Sequence, residues 1–453
     1  MKLKEYKNIY FVGIGGIGMS SIARYFNNKN VNIFGYDRVK SSLCVELENE
    51  GMKIHYTEDT NQISVQKEDT LVIYTPAIPS ENTELSYFVK NNYIVMKRSE
   101  VLGKITEDHF TIAIAGTHGK TTTSTMIAHI LHDSGMDCTA FLGGVSTNYN
   151  SNLIFGTEKS VVVVEADEFD RSFLTLNPDV AVITSVDADH LDIYQNKERL
   201  ISAFSDFTNK IKSGGTLFLE ENIDTSIVNR DDISVLKYGL SISSDCKGTY
   251  ISPDKNTMKF QVECNGNTFD DLRLNMGGVY NVLNAVASVS VANLLEIDSS
   301  KIVDGINTFM GIRRRFETHI SSDKLVFIDD YAHHPKEVTE SINAVKQMYP
   351  EREITVVFQP HLHSRTKDFM NEFANSLSLA DELILLDIYG AREEEIEGVS
   401  SQILLNKCTS TKKELSALDS IVEKIADKEI DVLLTLGAGD ISTIIEPLRL
   451  RLS

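Results

Sequence analysis

The stretch of residues 112–123 constrains the fold of this chain more than any other. An apolar run typical of a β-strand breaks there into a glycine loop, then a lysine followed by three threonines, and a helical pattern follows. In such a strand, loop and helix, backbone N–H groups bind phosphate and the lysine adds a mobile positive charge. The usual motif has a glycine where this chain has Ile114, so a shortened P-loop is predicted. The predicted nucleotide-binding residues are Gly116, Thr117, His118, Gly119, Lys120, Thr121 and Thr122.

Composition limits the class of protein. A chain of 453 residues is long enough for roughly two to four domains with sizeable cores. A net charge of −21 argues against broad binding to nucleic acid or to anionic membranes. The five cysteines are scattered and contain no C-x-x-C pair, which favours reduced thiols over a disulfide framework or a zinc site. The sequence shows neither a signal peptide nor a bilayer-spanning run, so a cytoplasmic protein is expected.

A second glycine motif lies near the start of the chain. Residues 13–18 follow an apolar strand pattern and precede a helical one, and a further strand pattern ends at Asp37. This matches G-x-G-x-x-G with an acidic residue about twenty positions later, the dinucleotide fingerprint. A Rossmann-like unit is predicted, although such a turn accepts any pyrophosphate and a purely structural turn remains the alternative. The predicted ligand contacts are Gly15, Gly16, Ile17, Gly18 and Asp37.

Carboxylates follow two apolar runs of the middle segment. The run 161–164 ends in Glu165-Ala166-Asp167-Glu168, and a carboxylate at such a strand end suits Mg²⁺. The run 180–184 is followed by a cluster of aspartates around His190. A metal or phosphate role is predicted for these groups. An acidic helix start that holds no metal is the alternative for the first cluster.

Four other stretches carry polar patterns, and the first two of them leave their interpretation open. The glycine- and asparagine-rich residues 142–152 either face a substrate or form a surface turn. Asn281 either contacts a base edge or caps a helix. Three consecutive arginines at 313–315 indicate phosphate contact against an acidic background. Residues 97–100, Lys-Arg-Ser-Glu, are interpreted as a solvated helix start.

The last third of the chain alternates strand and helix patterns, which predicts a parallel, doubly wound sheet. The strand patterns cover residues 325–328, 355–358, 383–388 and 432–436. His333, His361 and His363 each come after a strand, and no two share a helix as metal ligands would. Polar contacts to a substrate or nucleotide are therefore expected rather than a transition-metal site.

Taken together, these motifs resemble the Mur ligases of bacterial cell-wall synthesis over nearly the whole chain. The motifs that carry the resemblance are residues 13–20, 115–122, 165–168, 189–192, 314–316, 329–335 and 358–361.

The resemblance implies three α/β domains. A Rossmann-like domain over residues 1–108 holds a UDP-sugar, a P-loop ATPase-like domain over 109–313 binds ATP and Mg²⁺, and a Rossmann-like domain over 314–453 brings in the amino acid. It also implies an ATP-driven ligation of L-alanine to the lactyl carboxylate of UDP-N-acetylmuramate through an acyl phosphate. A monomer or weak homodimer without nucleic-acid partners is expected.

The resemblance assigns roles residue by residue. The implied catalytic residues are Lys120, Glu165, His190, His361 and Arg365. The implied Mg²⁺ ligands are Thr121, Glu165 and His190, and the implied further ATP contacts are Asn281 for adenine, Arg315 for phosphate and Asp330 for ribose. The chain departs from the family pattern at Phe169, Arg171, Leu362 and His363, which leaves the substrate contacts of those positions open.

Three alternatives stay open. The first is the recycling ligase that joins a whole tripeptide to the same sugar nucleotide; residues 13–18 and His118 favour the alanine enzyme. The second is an NAD-dependent oxidoreductase, which the second nucleotide loop argues against. The third is an ATP-gated binding module without catalytic activity.

Overall fold

The structure is a computed structural model that describes residues 3–187, 194, 196–391 and 393–453. The chain forms two compact units, each made of several segments. The first unit comprises Met1–Thr249, Val262–Asp270 and Leu283–Phe309, and the second comprises Tyr250–Gln261, Asp271–Val282 and Met310–Ser453.

A five-stranded parallel sheet begins the chain. Its strands are β1 Asn8–Val12, β2 Asn32–Tyr36, β3 Lys53–His55, β4 Thr70–Tyr74 and β5 Ile94–Lys97, and its helices are α1 Ile17–Asn28, α2 Ser42–Asn49, α3 Thr83–Lys90 and α4 Arg98–Thr106. The order β3-β2-β1-β4-β5 puts β1 between β2 and β4. Successive strands are added on one side of β1 up to β3 and on its other side from β4, and ligands of open α/β sheets bind at such a switch point. The predicted Rossmann-like unit is confirmed, with the glycine motif directly after β1.

A ten-stranded sheet forms the middle of the chain. Its strands are β6 Thr111–Ala115, β7 Cys138–Ser146, β8 Ser151–Ile154, β9 Val161–Glu165, β10 Val180–Ile183, β11 Thr216–Glu220, β12 Ser234–Gly239, β13 Cys246–Asp254, β14 Thr257–Cys264 and β15 Asn267–Leu274. Its helices are α5 Lys120–Asp133, α6 Lys197–Thr208, α7 Val279–Leu294 and α8 Ser299–Thr308. The strand order is β15-β14-β13-β12-β11-β10-β6-β9-β7-β8. Every residue of β6 is buried, as its apolar sequence predicts for a strand covered on both faces.

A six-stranded sheet ends the chain. Its strands are β16 Glu317–Ser321, β17 Val326–Asp330, β18 Ile354–Phe358, β19 Glu382–Leu385, β20 Lys412–Leu415 and β21 Val432–Leu436, and its helices are α9 Pro335–Met348, α10 His363–Asp368, α11 Met370–Leu377, α12 Ser401–Lys407, α13 Ile421–Ala426 and α14 Ile445–Leu452. The order is β16-β17-β21-β18-β19-β20, and all pairs are parallel except β16 with β17. The prediction of an all-parallel sheet is therefore wrong at this edge. The connection between β16 and β17 is too short for a parallel crossover.

The expectation that all cysteines are reduced is wrong for one pair. Cys246 and Cys264 form a disulfide, with their Cα atoms 4.1 Å apart. They belong to β13 and β14, which are neighbours in the sheet, and only that pairing brings two residues 18 positions apart together. Cys44, Cys138 and Cys408 are free and buried.

Residues 142–152 turn out to be the hairpin of β7 and β8, and its key side chain is buried. Asn152 accepts a hydrogen bond from Nη1 of Arg24 at 2.5 Å. Its amide group donates to the carbonyl of Ile17 at 2.7 Å and to Oγ of Ser20 at 2.8 Å. Neither open interpretation fits Asn152, because it joins the middle sheet to the first turn of α1 inside the first unit.

Candidate functional site

The loop between β6 and α5 has the backbone that its glycines require. Gly116 has φ +134° and Gly119 has φ +84°, values that side chains rarely allow. A Cβ on Gly116 would lie 2.2 Å from Oγ1 of Thr184, and one on Gly119 would lie 2.6 Å from Oδ1 of Asn284. The predicted strand, glycine loop and helix are therefore present, and both glycines are also needed for close packing.

The segment after β10 holds this loop in place. The amide of Thr117 donates to the carbonyl of Ser185 at 3.1 Å, and the amide of His118 donates to Oγ of Ser185 at 2.8 Å. Thr184 Oγ1 donates to the carbonyl of Ala115 at 3.1 Å and also to that of His118. Because these bonds already engage two loop amides, the first turn of α5, with Thr121 and Thr122, is the part of the loop best placed to receive an anion.

Sequence reasoning missed these supporting residues. Thr184 and Ser185 follow a strand that is a parallel neighbour of β6, and strand adjacency was the signal that could have found them. Asn284 also contacts the first turn of α5, since it accepts a hydrogen bond from Oγ1 of Thr123 at 3.1 Å. It lies three residues after Asn281 in the same helix, and that spacing was the signal that could have found it.

Lys120, the P-loop lysine, lies in a buried ion pair. Its Nζ is 2.8 Å from a carboxylate oxygen of Glu168, whose side chain is fully buried, and it donates to the carbonyl of Gly116 at 2.6 Å. Burial acts to lower the pKa of Lys120, but the negative charges of Glu168, Asp167 and Glu165 outweigh it and raise the pKa. The lysine is therefore charged and aimed along the loop before any nucleotide arrives.

The predicted magnesium ligands are only partly described. Glu165 ends β9 and is paired in register with Ile114 of β6, so its carboxylate lies beside the strand that enters the loop. Thr121 is a buried residue in the first turn of α5. Carboxylate and hydroxyl oxygens are hard ligands of the type that Mg²⁺ prefers, so these two residues fit the ion. His190, with Asp189 and Asp192, lies outside the described residues.

The glycine turn after β1 is closed by the predicted acidic residue. The amide of Gly15 donates to Oδ2 of Asp37 at 2.8 Å, so this carboxylate holds the turn. A Cβ on Gly15 would lie 2.6 Å from Sγ of Cys44, whereas one on Gly16 would have no neighbour closer than 3.7 Å. Ile17 and Gly18 begin α1, whose N-terminus is the expected place for a diphosphate.

Asn281 is buried at the start of α7. Its side-chain amide donates to the carbonyl of Gly277 at 2.7 Å, four residues earlier. Asn281 is the third residue of α7 and its side chain donates this bond, so the bond is not an N-cap of the kind that the capping interpretation expects. The adenine contact remains a prediction.

In the second unit, aromatic and cationic side chains form a continuous row that joins Arg315 to residues after β17 and β18. The guanidinium of Arg315 lies 5.0 Å from the ring centre of Tyr331, which packs edge-on against His333. The ring of His333 lies 5.9 Å from that of His361, and Nη1 of Arg365 is 3.2 Å from Nδ1 of His361. The structure thus brings together the predicted residues Arg315, His361 and Arg365.

The protonation of His361 follows from its surroundings. Burial, with His333 and Arg365 nearby, lowers the pKa of His361 to about 4. Because Arg365 can only donate, Nδ1 of His361 accepts, and the ring proton is on Nε2. At neutral pH this histidine is a neutral hydrogen-bond donor, suited to a carboxylate or carbonyl oxygen. Burial likewise lowers the pKa of His333.

Asp330 ends β17 and is buried. Burial raises its pKa to about 6, against the opposing effects of a hydrogen bond from Ser341 and the charge of Arg315. A carboxylate in this position is costly unless something binds it. A ribose hydroxyl pair would supply that partner, as the resemblance implies for Asp330.

One other group in the second unit has the composition of a metal site: Glu317, His319 and Asp329 offer ligand atoms within 4.8 Å of one another. However, Nε of Arg314 donates to Asp329 at 3.0 Å, and the amide of Arg314 donates to Glu317 at 2.7 Å. A guanidinium at this position repels a cation, so the cluster is an ion-pair network.

The four positions that depart from the family pattern lie in two different environments. Phe169 and Arg171 are exposed in the 3-10 segment Phe169–Thr175, where Arg171 has φ +53°. Leu362 has φ +72°, and its amide donates to the carbonyl of Tyr389 at 2.9 Å. His363 is buried at the start of α10. The first pair lies at a surface, whereas the second pair fixes the turn behind His361.

Family models match the chain in three consecutive segments. Residues 8–110 match the "Mur ligase family, catalytic domain", residues 114–292 the "Mur ligase middle domain", and residues 314–439 the "Mur ligase, glutamate ligase domain". The chain belongs to the Mur ligase family. The Mur ligase fold class inferred from the sequence is thereby confirmed.

Relatives and solved structures agree over almost the full length of this Mur ligase. A UDP-N-acetylmuramate--L-alanine ligase of Cytophaga hutchinsonii is 44% identical, over 99% of this chain and 98% of the relative. One of Flavobacterium johnsoniae is 45% identical over the same shares. The crystal structure of the UDP-N-acetylmuramate-alanine ligase MurC from Thermotoga maritima matches with a TM-score of 0.84 and 26% identity, over 98% of this chain and 99% of that one.

A murein peptide ligase from Psychrobacter arcticus also matches, with a TM-score of 0.71 and 22% identity, over 98% of each chain. At that identity the likeness shows the fold alone. None of the described helices of this Mur ligase is long and apolar enough to cross a membrane.

Proposed function

We propose that this chain is an ATP-dependent ligase that joins L-alanine to the lactyl carboxylate of UDP-N-acetylmuramate in peptidoglycan synthesis. The observation that carries the proposal is the 44% to 45% identity, over 99% of the chain, to relatives that are all UDP-N-acetylmuramate--L-alanine ligases. The charged Lys120 in a glycine loop supports the same activity, because phosphoryl transfer needs such a cation at the β- and γ-phosphates.

The ligation has two steps. The lactyl carboxylate attacks the γ-phosphorus of ATP, the bond to the β,γ-bridging oxygen breaks, and ADP leaves behind an acyl phosphate. The amine of L-alanine then attacks the acyl carbon, and the tetrahedral intermediate expels inorganic phosphate while the amine loses its proton. Both steps need reactants that are aligned and shielded from water.

The residues of the P-loop serve the first step. Lys120 offsets charge on the β- and γ-phosphates, and the amide groups at the start of α5 bind phosphate oxygens. Thr121 and Glu165 would hold Mg²⁺, and His190 is the third expected ligand. When bound, the ion neutralises charge that develops on the transferred phosphoryl group. Asn281, Arg315 and Asp330 are proposed to contact adenine, phosphate and ribose.

The row of side chains in the second unit serves the second step. Arg365 is always charged and can bind a carboxylate with two parallel N–H bonds. His361 presents Nε2–H beside it, held by the bond between Arg365 and Nδ1. Together they are suited to orient the carboxylate of the amino acid while its amine stays free to attack. The neutral state of His361 leaves Arg365 as the charge that selects an anion.

The nucleotide sugar is assigned to the first sheet. Residues 15–18 and Asp37 would bind its diphosphate and a sugar hydroxyl pair at the switch point beside β1. Domain limits of 1–108, 109–313 and 314–453, a cytoplasmic location and a monomer or weak homodimer complete the proposal. Nucleic acid and membrane insertion have no part in it.

Phosphate release from ATP, measured with purified protein, tests the proposal. UDP-N-acetylmuramate is supplied with L-alanine, glycine, L-serine or the L-alanyl-γ-D-glutamyl-diaminopimelate tripeptide. Release that depends on the sugar nucleotide and is fastest with L-alanine supports the alanine ligase. Preference for the tripeptide would point to the recycling ligase, and release without any amino acid substrate would contradict both.

A further inference from the structure

Arg98 is the side chain that connects the two substrate regions of the first unit. It is the first residue of α4 and follows directly after β5. Its guanidinium group packs against Gly18 of the glycine turn, because a Cβ on Gly18 would lie 3.0 Å from Nη1 and 3.2 Å from Cζ. On its other side, Nη2 of Arg98 points to Asp167, two residues after Glu165.

The contact with Asp167 is loose. Nη2 of Arg98 lies 3.8 Å from Oδ2 of Asp167, which is beyond hydrogen-bond distance. Oδ1 of Asp167 instead accepts the amide of Phe169 at 3.0 Å. The neighbouring cation behaves differently, because Nζ of Lys97 lies 3.0 Å from Asp170. Lys97 is therefore engaged by a carboxylate at short range, whereas within the described part of the chain Arg98 has only this longer carboxylate contact.

Two helix N-termini act on the glycine turn together with Arg98. Arg98 is placed at the N-terminus of α4 and beside the N-terminus of α1, where helix dipoles are positive. Because a positive side chain and a helix N-terminus repel each other, Arg98 does not stabilise the fold at this position. An anion at the glycine turn would be attracted by both helix N-termini and by the guanidinium of Arg98, and the carboxylate of Asp167 offsets part of that attraction. Arg98 and Glu165 line the same gap of about 10 Å³, which is too small for a substrate group but shows that the two side chains are neighbours.

We propose that Arg98 is a substrate-binding residue that holds an anionic group of the nucleotide sugar between the glycine turn and Glu165. This inference rests on the proposed function. The substrate has two such groups, the diphosphate and the lactyl carboxylate, and a guanidinium can bind either with two parallel N–H bonds. The carboxylate must reach the magnesium and ATP site from the turn, and Arg98 lies on that route.

Titration calorimetry without ATP tests the proposal, because it reports binding rather than turnover. The ligands are UDP-N-acetylmuramate and UDP-N-acetylglucosamine, which has the same diphosphate but no lactyl carboxylate. Arg98→Ala is expected to raise the Kd for UDP-N-acetylmuramate at least about tenfold. Arg98→Lys should recover part of the loss, since it keeps the charge without the planar fork.

The two ligands identify the group. A loss confined to UDP-N-acetylmuramate assigns the lactyl carboxylate to Arg98, and an equal loss for both ligands assigns the diphosphate. Lys97→Gln is the matched control, because it removes a neighbouring charge of the same sign. An equal loss of affinity in that variant would show a general charge effect instead of a specific contact of Arg98, and would overturn the proposal.

Unchanged affinity in Arg98→Ala would also overturn it. ATP binding, measured on the same variants, shows whether the first unit is still folded. If the wild-type protein itself fails to bind UDP-N-acetylmuramate, the proposed function fails. If it binds and Arg98→Ala binds equally well, only the inference about Arg98 fails.

Discussion

The P-loop of the first unit and the row of side chains in the second unit solve opposite electrostatic problems. In the first, a buried cation is matched by a buried carboxylate, Lys120 with Glu168, and the pKa of the lysine is raised. In the second, burial disfavours the charged form of each group: the pKa of His361 falls to about 4 and that of Asp330 rises to about 6. The first region holds a compensated charge before any ligand arrives, whereas in the second His361 is neutral at neutral pH and Asp330 is a carboxylate whose charge is disfavoured by burial.

The largest expected effect comes from removing the charge of the P-loop. Lys120→Ala should lower kcat of ligation by at least about 10³-fold, because the β- and γ-phosphates lose their cation. Binding of UDP-N-acetylmuramate should stay intact, because the glycine turn after β1 does not use Lys120. Phosphate release and calorimetry measure the two effects. Near-normal phosphate release by Lys120→Ala would contradict the assignment of Lys120 to the ATP site.

The next prediction tests whether Glu168 compensates the buried charge of Lys120. Glu168→Gln leaves Lys120 as a buried charge without its partner and should lower the free energy of unfolding by about 3 kcal/mol. The double variant Lys120→Met with Glu168→Gln should recover most of that stability, because no unpaired charge remains, while staying inactive. Denaturant unfolding measures both. A single variant as stable as the wild type would contradict the matched pair.

Asp330 tests the opposite behaviour in the second unit. Its folded pKa of about 6 lies above the ordinary 3.8, so the folded protein loses stability as the pH rises through that window, by about 3 kcal/mol in all. Asp330→Asn carries no charge and should be more stable than the wild type at pH 8. The difference should shrink towards pH 4.5. Thermal melts at both pH values measure it, and a difference independent of pH would mean that Asp330 ionises without cost.

The smallest effect separates binding from folding in the glycine turn. A Cβ on Gly16 fits the protein, with its nearest neighbour at 3.7 Å, whereas one on Gly15 would displace Asp37 or Cys44. Gly16→Ala should therefore raise the KM for UDP-N-acetylmuramate several-fold and leave both the KM for ATP and the Tm unchanged. Gly15→Ala should also lower the Tm. Equal changes in the two KM values would argue against separate sites.

Much of the architecture was predictable, because local chemistry decides it. The apolar runs that form β6 and β9, and the glycine turns that follow β1 and β6, lie where the sequence patterns put them. Errors arose where pairing in space mattered. The antiparallel edge strand β16 and the Cys246–Cys264 disulfide both depend on which strands become neighbours, and periodicity carries no information on that choice.

The supporting residues were the least predictable part of the candidate site. Glu168 was seen only as one member of an acidic run, yet it holds Lys120. Arg98 was interpreted as part of a solvated helix start, yet it packs against Gly18. Both contacts join segments far apart in the chain, and the residue types alone did not distinguish them from surface charges.

By itself, the sequence determined the family, the α/β class and the phosphate loop, because glycine, lysine and hydroxyl residues at fixed spacing can do their chemistry only in one local geometry. The tertiary structure decided which charges are paired and which are merely buried. That distinction depends on distance and on exclusion of water, which weaken or strengthen an electrostatic interaction several-fold. It is why Lys120 stays charged and Asp330 titrates near pH 6.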